Sequence, residues 1–128
     1  MNGIDIVEIN KEPIHDLPEE NIQGIFLPRT NYHSASVGIV KPHEIQKKHF
    51  HKRPGDGYEI IFIYEGKCIL RGKEASSAEY DIDSNGPVLV YVHTNTIAYI
   101  ENTGDSEVRF FTVFAPGLEF SELNFLED

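Results

Sequence analysis

The stretch His49-Phe50-His51, followed by Glu59 and then by Glu65-Gly66, gathers side chains that can hold a metal ion. Two histidines at i and i+2 on a strand point to the same side, because strand side chains alternate between faces. A carboxylate arriving on the next strand completes a three-ligand set of nitrogen and oxygen donors. Such a set suits a divalent transition metal (zinc, iron, nickel or manganese) better than calcium or magnesium. Three protein ligands also leave coordination positions open, which a catalytic metal requires. Without a metal, the same residues make a polar pocket. Spacing alone therefore leaves an enzyme and a binding protein both open.

The neighbouring run Lys47-Lys48-His49-Phe50-His51-Lys52-Arg53 is basic in an otherwise acidic chain. On a continuing strand Lys47 and Arg53 share the side of His49 and His51, while Lys48 and Lys52 face away. Two cations beside the pocket suit an anionic ligand such as a carboxylate or a sugar phosphate. As strand-end charges they would simply reach solvent. The Pro- and Gly-containing loop Arg53–Tyr58 is placed to close over a barrel mouth. Tyr58 and His93 are the candidates for moving a proton there, and each reads equally as a rim residue. Cys68 sits in an apolar strand and reads as inert core packing. No nucleophile elbow, phosphate-cradling loop or dinucleotide fingerprint is present.

The elements that must position these residues follow from composition and pattern. At 128 residues the chain makes one domain with a substantial core. It is 40% hydrophobic and 11% aromatic, an ordinary globular composition. A net charge of -10 argues against nucleic acid and against anionic membrane surfaces, both of which need basic surface. The single cysteine, Cys68, excludes an intrachain disulfide and fits a reducing compartment, so a cytoplasmic location is expected. The acidic N-terminal stretch has no long apolar run and reads as neither a signal peptide nor a membrane span.

Short runs rich in Val, Ile, Tyr and Phe, punctuated by Gly, Pro, Asn and Asp, read as strands. The expected strands are Ile4–Ile9, Gly24–Pro28, Ala35–Val40, Lys47–His51, Tyr58–Tyr64, Lys67–Gly72, Ala78–Ile82, Val88–Val92, Ile97–Glu101 and Val108–Phe114. Glu65-Gly66-Lys67 predicts a hairpin; Asp83–Pro87 and Asn102–Asp105 predict turns. Several runs are apolar on both faces, as strands between two sheets or around a cavity must be. The fold class predicted is all-β, a double-sheet barrel. The tail Leu118–Leu126 reads as a short helix or as a strand packing on the barrel or on a second subunit.

With these residues in view, the chain resembles a small single-domain cupin, whose fold is a double-stranded β-helix, or jelly roll. The first cupin motif is a glycine, five residues, H-x-H, a short gap, a glutamate, six residues and a glycine. His49, His51, Glu59 and Gly66 match it. The second motif runs from a Gly-Asp turn to a third histidine and then an asparagine; Gly86, Tyr91, Val92, Asn102 and Thr103-Gly104-Asp105 follow that outline. His43 stands where the first motif has its glycine, and the gap from His51 to Glu59 is enlarged. Counting back from Asn102 puts Ala98 at the third-histidine position; counting forward from Gly86 puts Ile97 there. The stretch Asp56-Gly57-Tyr58-Glu59 with Glu65-Gly66 is also similar to homogentisate-dioxygenase-type cupin halves, some of which carry no metal.

The resemblance implies a single cupin domain over 1–128, with its core at about 36–116, N-terminal strands in 1–35 and a tail at 117–128. It implies metal held by His49, His51 and Glu59, and enzyme chemistry of isomerase, lyase or dioxygenase type on a small anionic organic molecule. The other reading it supports is a non-catalytic sugar- or carboxylate-binding cupin with an incomplete site. In either case the expected partners are a small-molecule ligand and, as is common among cupins, a second copy of the chain in a homodimer.

Overall fold

The computed structural model describes residues 3–28, 34–51, 58–72, 78–93, 95–115 and 123–125. Strand β1 is His15–Leu17, β2 Ile22–Phe26, β3 Ser34–Val40, β4 His49–His51, β5 Tyr58–Glu65 and β6 Lys67–Arg71. Then follow β7 Glu79–Asp81, the single helical turn α1 Ile82–Asn85, β8 Val88–His93, β9 Tyr99–Asn102, β10 Val108–Ala115 and β11 Leu123–Phe125. All strand pairings are antiparallel. No helix among the described residues is long and apolar enough to cross a membrane.

One sheet has six strands in the order β1-β2-β3-β10-β5-β8. The facing layer is built from β7-β6-β9 and β11-β4. The segment between His43 and His51 joins these two pieces by running antiparallel to residues 97–102. Ile45 bridges Glu101 and Phe50 bridges Ile97. The Gln46 amide donates to the Ile100 carbonyl, and the Ile100 amide returns a bond to Gln46 Oε1.

Alternation places the core between the layers. On β5, Glu59, Ile61 and Ile63 are buried while Tyr58, Phe62 and Tyr64 are exposed. On β10, Val108, Phe110, Thr112 and Phe114 are buried. The main core joins Val40, Ile61, Ile63, Val92, Val108 and Phe110 of the large sheet to Cys68 and Ile100 of the small one, with Ile82 of α1 at its end. At about 25 cal/mol per Å² of apolar surface, this burial supplies the principal driving force for folding. A second cluster, Ile25, Val37 and Ile39, lies on the outer side of the large sheet under Ile9 and Leu27.

Two glycines permit this packing. A side chain at Gly38 would sit inside the ring of Phe110, its cross-strand partner. Gly66 closes the β5–β6 hairpin at φ +101°, where an added Cβ would lie 2.6 Å from the Glu107 carbonyl oxygen. The Gly66 amide donates to Asp83 Oδ1.

Sequence and structure differ at the ends and at one turn. Residues Ile4–Ile9 are not a strand: nothing among the described residues pairs with them, and Ile9–Lys11 is a 3-10 turn. The short β1 escaped the pattern because His15-Asp16-Leu17 is polar. The predicted turn at 83–87 is wound into α1, whose cap residue Asp81 accepts from the Ser84 amide. The tail contributes an intrachain strand, β11, beside β4.

Candidate functional site

His49 is held in the interior by its own backbone neighbourhood. The residue is only 4% exposed. Nδ1 lies 2.7 Å from the carbonyl oxygen of Lys47, and because a carbonyl can only accept, Nδ1 carries the proton. In that tautomer Nε2 is the basic atom of the ring. Burial pushes the imidazole below its usual pKa, and the bond to Lys47 opposes this in part. A neutral, backbone-oriented imidazole is the form that binds a metal.

Glu59 is 7% exposed and lies on the inward side of β5, between Phe114 of β10 and Val92 of β8. The chain brings β4 to the same end of the barrel. Strand β8 ends at His93, opposite Tyr58, and four residues later Ile97 is bridged to Phe50. His51 shares β4 with His49; its side chain lies outside the described residues. Among the described residues no group of three His, Cys, Asp or Glu side chains converges.

The two positions at which the resemblance puts a third histidine, Ile97 and Ala98, can now be placed. The Phe50–Ile97 bridge and the Ala98 amide donating to the His49 carbonyl set Ala98 directly across from His49. Ala98 packs against the main core, so it is the inward residue of the pair Ile97/Ala98.

The remaining candidates fall elsewhere. Tyr58 and His93 are cross-strand partners on the outer side of the large sheet, both exposed, and are turned away from Glu59 by the alternation of β5. Lys47 is exposed and precedes β4, so it does not share the buried side of His49 as a continuing strand predicts; its amide donates to the Glu20 carbonyl. Arg53 and most of its loop lie outside the described residues.

One residue escaped the sequence reading. Thr112 is 3% exposed, and its hydroxyl has no hydrogen-bond partner among the described residues. It faces inward between Ser36 and Ile61, one diagonal step from Glu59. The signal was available: Thr112 is the lone polar member of the inward row Val108, Phe110, Thr112, Phe114. With Ser36 and Glu59 it makes this end of the interior polar, whereas the end near Ile63, Val108 and Ile82 is closed by hydrocarbon.

Sequence comparison finds no matching family model and no matching curated protein. Structural comparison finds clear likenesses. An uncharacterised double-stranded β-helix protein from Klebsiella pneumoniae matches with TM-score 0.74 and 13% identity, over 98% of this chain and 100% of its own. The polyketide cyclase RemF from Streptomyces resistomycificus matches with TM-score 0.77 and 13% identity, over 98% and 87%. A Streptomyces PAC13 variant with uridine matches with TM-score 0.73 and 9% identity, over 99% and 93%. The fold is thus a double-stranded β-helix. At these identities the likeness speaks for the fold alone.

Proposed function

We propose that this protein is a metal-dependent cupin acting on a small organic molecule bound at the polar end of its barrel. The observation that supports the reading is His49: a buried imidazole whose Nδ1–H is fixed on the Lys47 carbonyl, which makes Nε2 the basic atom of the ring. Glu59 supplies a buried carboxylate at the same end, and His51 is the third donor on the strand of His49. This donor set fits a divalent transition metal (zinc, iron, nickel or manganese). When bound, such a metal polarises a substrate oxygen and offers open coordination positions.

The chain's own residues set the rest. Ala98 puts a methyl group, not a fourth protein donor, across from His49. Thr112 and Ser36 offer hydroxyl groups to a polar substrate edge, while Ile61, Val92 and Phe114 exclude water around it. The RemF and PAC13 likenesses agree with a small organic ligand in such a barrel. An anionic substrate rests on Arg53 alone among the two cations expected to serve it, since Lys47 faces solvent. Isomerase, lyase and dioxygenase chemistries all remain compatible with three protein ligands.

The second reading, a metal-free binding cupin, is favoured by Ala98. Thermal unfolding with added metal separates the two. The metal-dependent reading predicts that one of Zn²⁺, Mn²⁺, Ni²⁺ or Fe²⁺ raises Tm in the wild type but not in His49→Gln or Glu59→Gln. Equal shifts in wild type and variants, or none with any metal, would overturn it.

A further inference from the structure

A pocket of about 560 Å³ opens on the outer side of the large sheet, the side turned away from Glu59 and Thr112. Sites for small molecules usually have volumes of about 300–1,000 Å³. Its rim is the segment ahead of β1. Its floor is the sheet itself: Ile25 of β2, 1% exposed, with Tyr64 of β5 and Arg109 of β10 beside it. The rim is fixed at both ends, because Ile9 packs on the outer cluster and β1 pairs with β2. Ile9, Ile14 and Ile25 give the pocket its hydrocarbon lining.

The charged part of the lining is unbalanced. Glu12, Glu65 and Glu107 bring three carboxylates against the single guanidinium of Arg109. That guanidinium is shared: Nε lies 3.5 Å from Glu65 Oε2, and Nη2 lies 3.4 Å from Glu107 Oε1. Charge-assisted bonds of full strength are about 2.7–2.9 Å long, so neither carboxylate is closely held. Lys11, the only cation in residues 9–14, is paired with Glu8 at 2.9 Å and does not line the pocket. Among the described residues, two negative charges are thus left over in a recess with an apolar floor. The ring of Tyr64, beside Arg109, adds a π-surface that also attracts cations.

We propose that this pocket is a binding site for a small organic cation with a hydrocarbon body, of the aliphatic diamine class. The ammonium groups meet Glu12, Glu65 and Glu107, and the methylene chain lies against Ile9, Ile14 and Ile25. Two positive charges match the surplus of two negative ones, and each methylene covered by the isoleucines adds affinity. An anion would meet the same surplus as repulsion. The large sheet stands between this pocket and the barrel interior, so the site does not depend on what His49 and Glu59 hold.

Calorimetric titration of the full chain with cadaverine, a linear aliphatic diamine, at low ionic strength tests this. The expected result is saturable one-to-one binding, with shifted methyl NMR signals from Ile9, Ile14 and Ile25. Glu12→Gln with Glu107→Gln should weaken binding by about tenfold. Neither residue is buried, so the circular dichroism spectrum should not change. Glu79→Gln with Glu101→Gln removes the same charge from the small sheet and should leave binding as it is. His49→Gln should leave it unchanged too. Absence of saturable binding would overturn the proposal. Equal weakening in the two glutamate pairs would also overturn it, because cadaverine would then be answering to the chain's net charge of -10. Loss of binding in His49→Gln would contradict it by placing the diamine inside the barrel.

Discussion

His49 and Ala98 lie directly opposite one another, joined by the Ala98 amide and the His49 carbonyl oxygen at 3.4 Å. The position that the cupin resemblance reserves for a third histidine is therefore filled by a methyl group across from the buried imidazole of His49.

This relationship predicts the effect of restoring the ligand. Ala98→His should tighten metal binding by about tenfold or more, roughly 1.4 kcal/mol. Competition against a chromophoric chelator measures it. An unchanged or weakened affinity would mean that position 98 does not look into the metal site.

Thr112 gives a prediction of opposite sign to most core substitutions. A buried hydroxyl without a partner destabilises by about 1–3 kcal/mol. Thr112→Val should therefore raise the stability of the ligand-free protein by about 1 kcal/mol, read from urea unfolding. In the same variant, binding of a substrate that uses this hydroxyl should weaken. A loss of stability would show that the hydroxyl is paired.

Asn102 is the polar residue on which the second motif turns. It is 1% exposed; Nδ2 donates to the carbonyls of Val40 and Ser106, and Oδ1 accepts from the Gly104 amide. Asn102→Ala leaves these backbone groups unpaired beside the core. The expected loss is about 2–4 kcal/mol in urea unfolding. Asn102→Asp should be no better, because a carboxylate cannot donate to either carbonyl.

Motif and pattern anticipated much of this arrangement. The period-2 rows of β5, β8 and β10 are strict, so their core sides were legible, and the Gly66 hairpin and the Asn102 turn follow from local chemistry. The direction of Tyr58 and His93 was hidden for an instructive reason. Each is a neighbour in sequence of an inward residue, Glu59 or Val92, and adjacency on a strand means opposite faces. Lys47 misled because β4 is only three residues long, so alternation does not extend back to it. Residues 4–8 have a strand's pattern without a strand's partner, which no local pattern can reveal.

The pH dependence of stability should carry a signature of Glu20. Burial raises the pKa of its carboxyl; a bond from Gln46 lowers it and the nearby Glu19 raises it. For an acid whose folded pKa lies above its unfolded value, the stabilising contribution is complete below the unfolded value, 4.5. It is lost as pH rises through the folded value. Glu20→Gln keeps an acceptor for Gln46 and removes the charge. Near pH 7 it should be at least as stable as wild type, and its stability should fall less on going from pH 4.5 upward. Parallel stability curves for the two proteins would contradict this.

The central claim is that His49, His51 and Glu59 hold a metal. Its most direct measurement is elemental analysis of protein purified without added metal and after loading with one equivalent of each candidate metal. The account predicts about one transition metal per chain, retained through gel filtration and lost in His49→Ala and Glu59→Gln with the fold preserved. Folded wild-type protein that retains no metal after loading would contradict it.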